Sequence, residues 1–154
     1  METTQALTGS SFALGKRQDR VLKVEAGDVK ITSTSVPEKH VTLTTKRWAH
    51  LTLTREKVDI EAREVNRQTR PVAYWHIGNL YYVSVTIGYG CVDIRRFYVP
   101  YGLASEYVHP TRNGLGLRLD EWAHLLELVP TIHRQHPELN VIAESSDEET
   151  DKRQ

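Results

Sequence analysis

Val41-Thr-Leu-Thr-Thr-Lys-Arg-Trp-Ala-His-Leu51 returns as Leu115-Gly-Leu-Arg-Leu-Asp-Glu-Trp-Ala-His-Leu125, with Trp-Ala-His-Leu identical at a constant offset of 74 residues. Each copy opens on alternating apolar residues (Val41, Leu43; Leu115, Leu117, Leu119), the period of a half-buried strand. Each then reaches a large aromatic that begins a helical pattern, with Thr45 or Asp120 placed to cap it. In the first copy Trp48, Leu51, Arg55, Val58, Ala62 and Val65 step by three and four, which predicts a helix to about Asn66 with one buried stripe. In the second, Trp122, Leu125, Leu126 and Val129 precede Pro130, which is expected to kink or end the helix before Ile132 and His133 resume a short turn.

Outward from the repeat, Val21 to Thr34 reads as a hairpin, VLKVE and VKITS on either side of Ala-Gly-Asp, with the Gly-Asp pair supplying the turn. Between the copies, Val72–His76, Leu80–Ile87 and Cys91–Val99 are β-branched and aromatic, separated by Ile-Gly-Asn and Gly-Tyr-Gly turns. In the middle strand Tyr81, Val83, Val85 and Ile87 point one way, and Tyr82, Ser84 and Thr86 the other. Such a sheet is covered on one side only. A loop follows from Pro100 to Asn113. The expected fold is α+β. Residues 71–142 are expected to form a curved four-stranded antiparallel sheet followed by a helix, preceded at 19–70 by a partial or diverged repeat of hairpin, strand and helix. Residues 1–18 are expected to be a flexible segment and 143–154 an acidic, disordered tail.

The chain has 154 residues, 39% apolar and 26% charged, enough for one domain or two small units sharing a core. No apolar run approaches the roughly 18 residues of a membrane helix, and the polar stretch Met1 to Arg20 lacks a signal-peptide core. Cys91 is the single cysteine, which excludes an internal disulfide or a thiolate cluster. An intracellular protein without metal or cofactor is expected. His133 and His136 read as a surface pair rather than ligands, Cys91 as a small hydrophobe, and His50 and His124 as packing or capping residues. Walker, Rossmann, zinc and Gly-x-Ser-x-Gly patterns are all missing from the sequence, so an enzyme is not expected. Net charge is zero, yet residues 1–73 hold 13 Lys+Arg against 9 Asp+Glu, residues 74–140 hold 5 against 6, and residues 141–154 hold 2 against 5. The body is mildly basic and the tail cancels it.

Nine of the twelve aromatics fall between Tyr74 and Tyr107, interleaved with Arg95, Arg96, His109 and Arg112. Rings stack on unpaired bases while cations follow phosphates, so an uncovered sheet face with both is a platform for single strands. For any single ring, a place in the core or an interface is the competing reading.

Ile-Gly-Asn-Leu-Tyr-Tyr-Val-Ser-Val (77–85), Val-Asp-Ile-Arg-Arg-Phe-Tyr (92–98), His-Pro-Thr-Arg-Asn-Gly-Leu-Gly-Leu (109–117) and Asp-Glu-Trp-Ala-His-Leu (120–125) follow in an order that resembles the C-terminal domain of the positive cofactor four transcriptional coactivators. That family reads about I-G-K-x-R-Y-V-S-V, I-D-I-R-E-Y-W, K-P-G-R-K-G-I-S-L and x-E-Q-W, and the likeness spans about Ile77 to Val129. Val41 to Asn66 resembles the last strand and helix of the same domain. The resemblance implies a nuclear, non-enzymatic, dimeric binder of single-stranded or melted DNA that works with the transcription machinery. RNA remains open, because stacking tolerates either sugar. The two repeats could make the dimer from two chains or as a pseudo-dimer within one.

Carried over residue by residue, Tyr82 and Thr86 take the exposed positions of the second strand, Arg95 the family arginine and Tyr98 the stacking tryptophan. Arg112 is kept in the loop before the last strand, and Tyr89 is the nearest substitute for a family phenylalanine. Asn79, His109 and Asn113 stand where the family has lysines. Every phosphate left without a cation lowers the salt slope on a single strand by about 0.7. Binding is therefore expected to lean on stacking, with Lys16, Arg17, Arg20, Lys23, Lys30, Lys46 and Arg47 as candidate replacement charge. The alternative is a protein-interaction or scaffolding module whose nucleic-acid face has decayed. Ser145 and Ser146 each precede a Glu by three residues, an acidophilic-kinase pattern whose phosphorylation would compete with DNA.

Overall fold

The structure, a computed structural model, describes residues 9–63, 72–86, 90–100 and 108–141. Four strands, β1 (Ser10–Leu14), β2 (Arg20–Glu25), β3 (Asp28–Ser33) and β4 (His40–Leu43), lead to helix α1 (Thr45–Arg63). The pattern then repeats: β5 (Val72–Gly78), β6 (Tyr81–Thr86), β7 (Cys91–Tyr98) and β8 (His109–Arg118) lead to α2 (Leu119–Gln135) and a 3-10 turn at Pro137–Leu139. Each set of strands is an antiparallel meander in sequence order. The α+β class is as expected, and the chain is two ββββα units.

Of the two alternatives for the first unit, partial or diverged, the structure shows a full set of four strands and a helix, because Ser10–Leu14, expected to be flexible, pairs with β2 and places Leu14 fully in the core. The tail at 143–154, with Ser145 and Ser146, lies outside the described residues, as do residues 1–8 of the expected N-terminal segment. Turns sit one residue from where the sequence suggested. Ala26 and Gly27 make the β2–β3 turn with φ of 50° and 84°, the left-handed pair that a two-residue hairpin requires. Thr44 caps α1, its hydroxyl accepting from the Arg47 N–H at 3.3 Å, while Thr45 donates to the Gly27 carbonyl at 2.8 Å. At α2 the Glu121 carboxylate accepts from the Arg118 N–H at 2.7 Å, and Asp120 instead accepts from the Lys16 N–H at 3.0 Å. Helix α2 runs through Pro130, which is exposed, so that the carbonyl its ring leaves free can turn to water.

One apolar face of each sheet must be buried, and the helices do this crosswise. Helix α1 lies on β5, β6 and β7 of the other unit, and α2 reaches β1. Leu22, Val29, Ile31 and Leu43 from one sheet join Val83, Val85, Ile94 and Leu117 from the other in a single cluster around Trp48 and Trp122, both fully buried. The indole N–H groups bond across the helix pair. Trp48 donates to His133 Nε2 at 2.9 Å and Trp122 to Asp59 Oδ1 at 3.0 Å. His133 is therefore a half-buried acceptor rather than a surface residue, and His136, which is buried, meets the Ser10 hydroxyl at 2.9 Å. His124 accepts from the Gly15 N–H at 3.1 Å, tying the β1–β2 turn to α2.

Candidate nucleic-acid interface

Alternation on β6 sends Tyr81, Val83 and Val85 into the core and Tyr82 and Ser84 to the side that neither described helix covers. Register brings Tyr74 opposite Ser84, His76 opposite Tyr82, and Arg95 opposite Tyr82 on the other flank. The rings form a cluster. Tyr82 lies 5.1 Å from Phe97 edge-on, 4.8 Å from His76 in a tilted stack and 6.1 Å from Tyr74, which is also 5.9 Å from Phe97. Phe97 is 5% exposed and anchors the group, whereas Tyr74 is 53% exposed and presents its ring to solvent.

Arg95 borders these rings but is already engaged. Its Nε and Nη2 donate to the two Asp93 oxygens at 2.9 and 2.8 Å, and its Nη1 to the Thr111 carbonyl at 2.9 Å. That bond with Asp93 holds the guanidinium's pKa above its usual value in spite of partial burial. Beyond Arg95, the β8 partners of Arg95 and Asp93 are Gly114, buried tight against Arg95, and Gly116, which leaves its backbone without a side chain over it. A hollow of about 490 Å³ opens at this point between the two units, lined by Arg20, Lys39, Arg95 and Arg112 with Glu38 as the acidic member. Arg20 spans the seam, its Nε donating to the Gly116 carbonyl at 3.0 Å and its Nη1 to Asp19 at 2.6 Å. Lys39 and Arg112 are exposed and make no ion pair among the described residues.

Tyr98 is 45% exposed but does not join the Tyr82 group. It follows Phe97 and so turns to the opposite side of β7, where its ring meets His109 at 5.7 Å. On that side Asn113 Nδ2 donates to the Tyr81 hydroxyl at 3.1 Å, and the Arg47 guanidinium lies 4.0 Å above the Tyr81 ring. Burial, with Arg96 nearby, pulls the Arg47 pKa down, and Tyr81 partly opposes this. Asn79 is exposed in the β5–β6 turn with φ of 54°. The expected residues therefore divide. Tyr82 and Arg95 share one face, Arg112 lies in the adjoining hollow, and Tyr98, His109, Asn113 and Asn79 gather at the end of the sheet. Of Thr86 only the backbone is described, and Tyr89 lies outside the described residues.

Lys39 and His76 were not singled out by sequence. Of the first-unit cations, Arg20 and Arg47 do reach the second unit, whereas Lys23 and Lys30 pair across β2 and β3 on the first sheet's outer side. The Cys91 thiol is half-exposed, and burial followed by Asp93 pushes its pKa up, which suits an unreactive side chain. No protein-family model, curated protein or solved structure matches this chain.

Proposed function

We propose that the chain is a non-enzymatic binder of single-stranded nucleic acid, acting on melted DNA in the manner of the nuclear coactivators it resembles. The observation that carries the reading is the Tyr74–His76–Tyr82–Phe97 cluster beside Arg95 on a sheet face that neither described helix covers. Stacked bases there supply affinity with little sequence preference, and the neighbouring hollow supplies positive potential. Fluorescence anisotropy with labelled oligo-dT at about 50 mM salt tests it, where phosphate neutralisation weighs most. Tyr74→Ala, which removes an exposed ring, is expected to cost about 1–3 kcal/mol, or roughly 5- to 150-fold in Kd. Tyr98→Ala, off that face, is expected to cost less. Equal losses from both variants, or none from Tyr74→Ala, overturn the placement.

One observation favours the second reading, a protein-interaction or scaffolding module: the cation nearest the rings is met by Asp93. That reading is adopted if the folded protein fails to bind oligo-dT, oligo-U and partly melted duplex alike.

A further inference from the structure

The two uncovered sheet faces are not alike. On the first, register lines up Ser11, Lys23, Lys30 and Thr42 in one row across the strands. The next row is Ala13, Val21, Thr32 and His40, so among the described residues this face has no Phe, Tyr or Trp. Phe12, the aromatic on those strands, turns inward against the core. The first face offers one imidazole, His40, where the second offers the Tyr74–His76–Tyr82 cluster.

The first unit nevertheless contributes to the second unit's face through the hollow at the seam. Arg95 belongs to both places, being the cross-strand neighbour of Tyr82 and a wall of the hollow. Next to it, Gly116 raises no side chain from the floor, so a polymer can pass close, while Gly114 is buried with its Cβ direction closed by Arg95. Across that floor stand Lys39 from the β3–β4 connection and Arg112 from β8, whose charges are not spent on ion pairs among the described residues.

Resting on the reading above, we infer that one strand, stacked on Tyr74 and Tyr82, runs past Arg95 into the seam, where Lys39 of the first unit and Arg112 of the second take its phosphates. The chain then holds a single strand at one composite site, and the first unit acts as a phosphate clamp rather than as a second stacking platform.

Full-length protein is titrated with oligo-dT of 20 nucleotides from 50 to 200 mM salt, and the complex is weighed by native mass spectrometry. One strand per chain is expected. Lys39→Ala and Arg112→Ala, both at exposed positions, should each lower the salt slope by about 0.7, a change of about 2.6-fold in the affinity ratio across that range. Lys23→Ala and Lys30→Ala, on the first unit's outer face, should leave the slope unchanged. A wild-type complex with two strands per chain overturns the inference while leaving the binding reading intact. So does a slope that Lys39→Ala does not alter, or one that Lys23→Ala lowers equally. A wild-type chain that binds no strand at all overturns both.

Discussion

Replacing Asp93 by Asn removes the carboxylate that holds Arg95 at 2.8 and 2.9 Å while keeping its size. The guanidinium stays near its place, because Nη1 is still bonded to the Thr111 carbonyl and the β7–β8 pairing is untouched. Stability should change little, since both partners are partly solvated and such pairs are worth about 0–1 kcal/mol. Binding should change more. A cation released to a phosphate steepens the salt slope on a single strand by about 0.7, which corresponds to about eightfold tighter binding at 50 mM and about threefold at 200 mM, measured from 1 M. Arg95→Ala should act in the opposite direction and by more than one phosphate's worth, because it leaves Asp93 unpaired beside the rings. The assay is anisotropy with oligo-dT across a salt series, with a thermal melt of each variant. Should Asp93→Asn bind no better than wild type while melting normally, the idea that Asp93 silences Arg95 is refuted. Weaker binding would mean that the carboxylate serves to aim the guanidinium.

Acidification should destabilise the fold through His133, whose pKa is held below 6.5 by burial and then by Arg55. The unfolded chain takes up that proton first, so stability is full above about pH 6.5 and falls as pH drops toward the folded value. Urea melts between pH 7.5 and 5.5 check this, and His133→Gln, which keeps an acceptor for Trp48, should flatten the dependence. Trp122→Phe retains most of the apolar packing but strips Asp59 of the indole donor, and should cost about 1–3 kcal/mol in urea unfolding. Gly114→Ala would press a methyl onto the Ile94 carbonyl and the Arg95 backbone and Cβ. A destabilisation of about 1–3 kcal/mol is expected from such overpacking, with oligo-dT binding reduced as Arg95 moves, measured by melts and anisotropy together.

The repeat and the alternation of β6 were legible because both are local. Val83 and Val85 announce a buried face by their spacing, and Trp-Ala-His-Leu announces itself by identity. What escaped depends on partners far along the chain. Ser10–Leu14 is short and set in a polar stretch, and becomes a strand where α2 holds it: Ser10 bonds to Gln135 and His136, and Gly15 and Lys16 bond to His124 and Asp120. Arg20 and Arg47 were visible as charges, but nothing local says that one ends at the Gly116 carbonyl and the other over Tyr81. Tyr98 was drawn to the Tyr82 face by its place in a motif, although strict alternation from Phe97 sends it to the other side.

Helix positions 59 and 133 are equivalent under the 74-residue offset, and one is Asp, the other His. Each accepts the indole N–H of the opposite unit's tryptophan, so what the packing demands there is an acceptor and not a particular residue. The outer faces carry no such demand. In a dimer of identical chains both faces would have to bear the same side chains, whereas two units in one chain can differ wherever the shared core is not touched. The contrast between the Tyr74–Tyr82–Phe97 cluster and the Lys23–Lys30 row lies in that freedom. Consequently, substitutions in the helix pair should disturb both units together, because the core is one cluster, whereas removing an exposed side chain from the Tyr74 face should alter binding without altering the melt, and removing Lys23 or Lys30 from the other face should alter neither. A Tyr74→Ala variant that melted as far below wild type as Trp122→Phe would contradict that separation.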